Sequence, residues 1–350
     1  MKDWESLLKM DSISWLLEGN NPSVKYFTLL DLLGKTKDDK EVTRVRKDIV
    51  QKGLVPIILS KQKEGGYWEK EDNFYTSKYK GTVWQLLILA ELGAHRDLDT
   101  RVGKAAEFIM DRSQDRLRFG FSIYPRARWE GGRPSSVISC LTGNMVYSLI
   151  RLGYLAEDRV QKAIQWITTY QRFDDGINEL PKDWPYNQLG ESCWGKHSCH
   201  MGVVKALKAL TEIPKEQRDK EVKRTIGIAM EYLLQHHIYK QSHNLNKIAK
   251  PGWLRLGFPL MYQDDILEIL DILTRLECHD ERMQDAVDIL ISKQNEQGRW
   301  RLENTFNGSF QVDIEKKGEP SKWITLNALR VLKRYYHLPV LKNGRIEKEN

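Results

Sequence analysis

The densest group of chemically capable side chains lies in the segment Cys193-Trp-Gly-Lys-His197-Ser-Cys199-His200. Two thiols and two imidazoles fall within eight residues, at the start of an apolar stretch that continues beyond His200. Thiolate and neutral imidazole are preferred zinc ligands, and a thiol at a helix N-terminus has a lowered pKa. The sequence therefore predicts either a thiolate nucleophile assisted by histidine or a zinc site on Cys193, His197, Cys199 and His200. The alternative is that the cysteines pack in the core.

A partial copy of this segment occurs 59 residues earlier, where Ser139-Cys140-Leu-Thr-Gly143 parallels Ser198-Cys199-His-Met-Gly202. Equivalent positions would place Cys140 and Cys199 on neighbouring helices near one rim.

A pair of acids, Asp264 and Asp265, stands at the head of another apolar stretch. Neighbouring carboxylates raise one another's pKa, and a protonated Asp facing an apolar cavity can protonate an alkene or an epoxide. We expect these two residues to act as acid and electrostatic stabiliser, with Cys199 and His200 lining or activating the mouth of the site. The competing interpretation is that the acids complement the dipole of a helix N-terminus.

Basic and aromatic residues crowd the loop between residues 118 and 133. Arginine supplies paired donors for phosphate or carboxylate, although an exposed basic loop has the same composition. We expect substrate contacts from residues in this loop and at the heads of the apolar stretches, namely Trp129, Arg133, Cys140, Trp194, Lys322 and Trp323. His236 and His237 are interpreted as the degraded end of a repeat.

These residues are set in a repeating sequence. The segments 54–68 and 286–300 match closely, and each is an apolar helix followed by Gln-x-x-x-Gly-x-Trp, at Gln62 and Gln294. Weaker copies begin at Ala106, Ala163 and Ala229, so the unit is about 58 residues long.

A second helix follows in each unit and is apolar over most of its circumference, which predicts burial on more than one side. These inner helices are predicted at 23–33, 82–92, 142–152, 200–210, 266–276 and 323–335. The first helices, such as 39–52 and 221–235, carry more charge and are predicted to lie outside. The pattern predicts an all-α fold, an (α/α)6 toroid of about twelve helices. We expect one domain over residues 1–340 and a frayed tail at 341–350.

The Gln-x-x-x-Gly-x-Trp segments resemble the QW repeats of the terpenoid cyclases, whose toroid is shared by the protein prenyltransferase β subunits. The resemblance implies a central apolar cavity for isoprenoid chains and a cyclase (lyase or isomerase) or a transferase. Tyr262-Gln263-Asp264-Asp265 is similar to the Asp-x-Asp-Asp acid of class II cyclases, with Tyr262 in place of the first Asp. The prenyltransferases hold zinc with a late-helix His, whereas Lys322 and Trp323 open the corresponding helix here, so protein prenylation is not expected.

The composition argues against several classes of protein. The 350 residues carry a net charge of +7, with basic and acidic residues interleaved, which argues against a nucleic-acid footprint. No apolar run reaches the roughly 20 residues of a membrane span, and the first residues lack a signal-peptide pattern, which predicts a cytoplasmic protein. The expected partner is a small apolar or peptide substrate. A zinc- or thiol-dependent peptide-modifying enzyme and a non-catalytic binding toroid stay open as alternatives, as do the substrate, the cofactor and the oligomeric state.

Overall fold

The computed structural model describes residues 4–127, 130–175, 184–186, 193, 198–338, 341–342 and 345–346. The elements of secondary structure in these ranges are helices and two antiparallel pairs of short strands. Strand β1 (Lys240–Gln241) pairs with β2 (Asn244–Ile248), and β3 (Leu341–Lys342) pairs with β4 (Arg345–Ile346). The α-helices are α1 (Ile13–Leu16), α2 (Pro22–Phe27), α3 (Lys40–Gln51), α4 (Leu54–Ser60), α5 (Thr82–Glu91), α6 (Thr100–Arg112), α7 (Ser139–Leu149), α8 (Asp158–Tyr170), α9 (His200–Thr211), α10 (Lys220–Gln235), α11 (Ile266–Arg275), α12 (Gln284–Ser292) and α13 (Lys322–His337).

The helices form two concentric layers. The inner layer consists of α2, α5, α7, α9, α11 and α13, and α2 continues as a π-helical turn over Thr28–Leu32. All eleven residues of α7 are buried, because this helix packs against neighbours on every side. The outer helices α3, α6, α8, α10 and α12 each bury one stripe and expose their charged residues.

The inner layer closes on itself where α13, the last inner helix, packs against α2, the first. The rings of Phe27 and Trp323 lie 6.2 Å apart, and Lys333 Nζ donates to the carbonyl of Leu32 over 2.8 Å. In the outer layer the hydroxyl of Ser12 donates to the carbonyl of Gly298 over 3.0 Å. The fold is therefore the all-α toroid that the repeat predicts.

The tryptophans of the two strong repeats, Trp68 and Trp300, each join a helix to the inner helix that follows it. Trp300 is fully buried, and its indole N–H donates to the carbonyl of Leu290 at the end of α12 over 2.7 Å. Its backbone N–H donates to the hydroxyl of Thr325 in the first turn of α13 over 3.0 Å. Trp68 makes the equivalent pair of bonds between α4 and α5.

The repeat glutamines and glycines join one unit to the next. The Gln294 amide donates to the carbonyl of Leu7 and accepts from the N–H of Lys9, each over 3.1 Å. Gly298 has φ +69°, and a Cβ there would lie 2.1 Å from the carbonyl oxygen of Met10. The close approach of two backbones requires glycine at this position.

We therefore expect Gly298→Ala to destabilise the protein more than Gly308→Ala. Gly308 has a similar φ of +84° but open space around a built Cβ, so it reports only the conformational cost of about 1 kcal/mol. The clash with Met10 adds roughly 1–3 kcal/mol to the loss at Gly298. The measurement is the free energy of unfolding in urea, and equal losses at the two positions would contradict a junction based on close contact.

Candidate active site

Three segments singled out in the sequence meet at the end of the ring where the inner helices begin. Cys140 is the second residue of α7, Cys199 is the N-cap residue of α9, and Asp265 is the N-cap residue of α11. A Cβ built on Gly202 would lie 2.8 Å from the Cβ of Ser139, so the first turns of α7 and α9 are in direct contact. We call the surroundings of Cys140, Cys199, His200 and Asp264 the rim site.

His200 and Asp264 form a buried pair at the centre of the rim site. The imidazole Nδ1 lies 2.8 Å from Oδ2 of Asp264, whose side chain is fully buried. The imidazole stacks on the Trp253 indole with centroids 4.1 Å apart, and the His236 ring meets it edge-on at 5.8 Å. Apart from this contact with each other, the Asp264 oxygens and the His200 nitrogens have no hydrogen-bond partner among the described residues. The pair is thus held in place by packing and by its own contact, and Nε2 of His200 is not committed to another described residue.

Unlike Asp264, Asp265 accepts hydrogen bonds from backbone N–H groups. Its Oδ1 accepts from the N–H of Glu268 over 2.9 Å and its Oδ2 accepts from the N–H of Gly257 over 2.8 Å. Burial raises the pKa of Asp265 to about 7, against the opposing effect of these two backbone bonds. The residue caps α11 and ties the preceding loop to it, as the dipole interpretation of the sequence expects.

The cysteines lie close to one another but are not activated. Burial raises the pKa of Cys140, and the neighbouring thiols of Cys199 and Cys193 raise it further. Burial also raises the pKa of Cys199, although the N–H of Gly202 acts in the opposite direction. This shift is opposite to the lowering that a position at a helix N-terminus predicts, because loss of water outweighs one amide dipole.

The described residues do not assemble the ligands that the zinc hypothesis needs. Across the described ranges, no three side chains of His, Cys, Asp or Glu come together in a way that would hold a metal ion. His197, one of the predicted ligands, lies outside those ranges.

An aromatic cluster adjoins the thiols. The ammonium of Lys78 lies over the rings of Tyr262, Tyr75 and Trp84, at 4.6, 5.0 and 5.9 Å from their centroids. After burial, the thiol of Cys140 is the largest contributor to the raised pKa of Tyr75, which places the cluster beside the rim site. Three ring faces thus surround one positive charge.

The other residues that the sequence predicts to contact the substrate do not lie together. Arg133 is exposed, with its guanidinium 5.5 Å from the ring of Tyr124. Lys322 is buried and its ammonium binds Glu18 and Asn20 at 2.9 and 2.8 Å, which ties α13 to the loop before α2. Trp129 and Trp194 lie outside the described residues.

Trp323 instead lines a cavity of about 670 Å³ that opens where the inner helices end. Fourteen of its 31 lining residues are Asp, Glu, Lys or Arg, so this space is more polar than the apolar hollow that the resemblance implies. Many of these charges are paired between helices, for example Lys208 with Glu91 at 2.6 Å and Arg275 with Glu212 at 2.6 Å. We call this space the charged cavity.

Two neighbours of the His200–Asp264 pair were not identified from the sequence. Trp253 lies in a 3₁₀ turn between repeats, and nothing in its spacing marks it. His236 is the C-cap residue of α10 and was set aside as a repeat end. The available signal is that His236 directly precedes His237, which takes the place of the repeat Gln.

The similarity of this chain to known proteins is limited to distant likenesses in structure. No protein-family model and no curated protein matches the chain. Similar solved structures include a GH76 α-mannanase from Bacteroides thetaiotaomicron, with 10% identity over 76% of this chain and 70% of that one, at a TM-score of 0.39. A family 10 polysaccharide lyase from Cellvibrio cellulosa shows 13% identity over 65% and 74%, at 0.34. The type II terpene cyclase MstE from Scytonema shows 13% over 83% and 96%, at 0.29. Among the described helices, none is long and apolar enough to cross a membrane.

The two acids are expected to respond differently to isosteric replacement. Asp265→Asn leaves one backbone N–H facing an amide group, which costs about 1–2 kcal/mol of the free energy of unfolding. Asp264→Asn changes that free energy by less than about 1 kcal/mol, because the amide oxygen of Asn can take the place of Oδ2 opposite Nδ1 of His200 and no described backbone N–H is left without an acceptor. Urea unfolding of both variants at pH 7 measures the difference, and a larger loss at Asp264 would contradict these assignments.

The cost of Asp265→Asn is also expected to depend on pH. The pKa of Asp265 is about 7 in the folded protein, above the value near 3.8 of a free Asp, so the folded state binds the extra proton between these values. The contribution of Asp265 to stability is therefore fully present below pH 4 and declines as the pH rises to 7. The deficit of Asp265→Asn should shrink over that range, and a deficit that grows with pH would contradict the raised pKa.

Proposed function

We propose that this protein is a toroidal enzyme that acts by proton transfer at the rim site on an apolar, isoprenoid-like substrate. The observation that carries the proposal is the buried His200–Asp264 pair, whose Nδ1 and Oδ2 face each other and whose other nitrogen and oxygen form no hydrogen bond with the described residues. A buried carboxylate that faces only an imidazole is costly to fold, so its retention favours a functional role.

The geometry suits His200 to exchange protons with a substrate. With Nδ1 facing Asp264, the carboxylate favours the tautomer that carries its proton on Nδ1, which leaves Nε2 as the basic nitrogen. The stacked Trp253 ring fixes the plane of the imidazole, so Nε2 keeps one direction. Asp264 is a positioning residue in this scheme and also stabilises the imidazolium that forms after proton uptake.

The aromatic cluster supports the choice of an apolar substrate that develops positive charge. The three rings around Lys78 already hold a cation without a described carboxylate partner. When the exposed Lys78 side chain moves away, the same faces can stabilise a carbocation formed by protonation of an alkene, at about 0.5–2 kcal/mol for each ring. In this scheme the imidazolium form of His200 gives its Nε2 proton to the alkene, and the neutral imidazole then takes a proton from a carbon next to the cation, which yields an isomerised or cyclised alkene and restores the imidazolium. Asp265 has no direct part in it, because both of its oxygens accept backbone bonds.

The test is turnover of linear C15 and C20 polyenes, as hydrocarbons, alcohols and diphosphates, in D2O. We expect cyclised or isomerised products that carry solvent deuterium at carbon, detected by mass spectrometry. His200→Asn and Asp264→Asn should each reduce turnover by about 100-fold or more, the usual contribution of a positioned acid or base. Asp72→Asn, which removes an exposed acid elsewhere, is the matched control and should keep full activity.

Two results would overturn the proposal. One is the absence of product from every polyene in the series while the protein is folded, as judged by its cooperative unfolding. The other is product formation that survives both His200→Asn and Asp264→Asn.

A further inference from the structure

The charged cavity is a second candidate site, which opens at the opposite end of the ring from the rim site and extends inward to Gly257 and Asp265. It opens between the last turns of the inner helices, and the loops that follow α2 and α5 form part of its mouth. A volume of about 670 Å³ lies within the usual range for small-molecule sites.

The mouth of the cavity carries positive side chains that form no ion pair with the described residues. Lys37, Arg46 and Lys47 line the cavity, and within the described residues none of the three forms an ion pair. Arg46 is half-buried, and its charge acts on the Tyr26 hydroxyl, which also lines the cavity. A half-buried guanidinium without a carboxylate partner has lost part of its hydration and gains from an added anion.

The pKa of His95, a residue at the same mouth, also reflects the nearby positive charges. Burial lowers the pKa of His95, and the charges of Arg46, Arg96 and Lys37 lower it further against the opposite effect of Asp97. The positive groups are thus near enough to one another to act on a single side chain.

Deeper in the cavity the wall is a series of ion pairs between helices. Lys208 contacts both Glu91 and Glu268, at 2.6 and 2.9 Å, and Glu212 contacts Arg275 at 2.6 Å. An alkyl chain placed against these groups would strip their water without offering hydrogen bonds in return. Hydroxyl groups can both donate to the carboxylates and accept from the cations, so they suit this wall.

We propose that the charged cavity binds a small anionic carbohydrate, a sugar phosphate or a sugar acid, with its charge at Lys37, Arg46 and Lys47 and its hydroxyl groups against the deeper ion pairs. The phosphate and carboxylate forms share this chemistry, since arginine and lysine receive either anion. The site is separate from the proposed proton-transfer chemistry of the rim site and does not depend on it.

The test is isothermal titration calorimetry with three probes: fructose 1,6-bisphosphate, trigalacturonate and the neutral sugar maltotriose. We expect saturable one-to-one binding of at least one anionic sugar and none of maltotriose. The variant Lys37→Ala/Arg46→Gln/Lys47→Ala should weaken that binding by at least tenfold. Its matched control is Lys220→Ala/Lys223→Ala/Lys247→Ala, which removes the same net charge at exposed positions that do not line the cavity, and it should bind like the wild type.

The probe that binds distinguishes the phosphate source from the carboxylate source. Inorganic pyrophosphate tests the carbohydrate part, and binding as tight as that of the sugar phosphate would overturn it. Absence of saturable binding for both anionic sugars, or equal weakening in the control variant, would overturn the whole proposal. The Asp264→Asn variant should bind the anionic sugar normally even if the rim site proves inactive, so failure at one site is distinguishable from failure at the other.

Discussion

The parallel direction of the inner helices is the constraint on which the rest of the structure depends. Each inner helix is followed by an outer helix that returns the chain, so the N-termini of the inner helices gather at one end of the ring and their C-termini at the other. The helix dipoles therefore add at each end instead of cancelling. Carboxylates stand at the first end, with Asp265 as a helix cap and Asp264 beside it. Cations stand at the second, with Lys208 and Arg275 in the last turns of α9 and α11.

This polarity separates two kinds of chemistry within one small ring. At the N-terminal end lie the His200–Asp264 pair and the aromatic cluster around Lys78, to which we assign a base and a surface for positive charge in our proposal. At the C-terminal end lie ion pairs and mouth cations that form no ion pair with the described residues, and there we propose that an anion binds. Most of the buried apolar residues lie in the contacts between helices, where they hold the ring together.

The interhelical ion pairs give the charged cavity a defined shape. Loss of one member would leave a buried charge without compensation, which typically costs about 3–5 kcal/mol, so the pairs oppose collapse of the wall inward. The ring thus keeps an open centre at this end because its wall is too polar to be filled by side chains of the core. The repeat junctions at Trp68 and Trp300 act from outside and keep each inner helix in register with its outer partner.

The sequence by itself determined the number of helix pairs, the division into inner and outer layers and the bounds of most inner helices, because apolar periodicity and the Gln-x-x-x-Gly-x-Trp spacing are local properties. It also indicated that residues near 140, 199 and 264 would share one end of the ring, since repeat positions are equivalent. Only the tertiary structure decided which acid caps a helix and which faces His200, because adjacent residues in a chain can point in opposite directions. Tertiary structure also brought Trp253 and His236 to the imidazole and lined the central cavity with charged side chains, since those contacts join side chains from different repeats that no spacing within one repeat can relate.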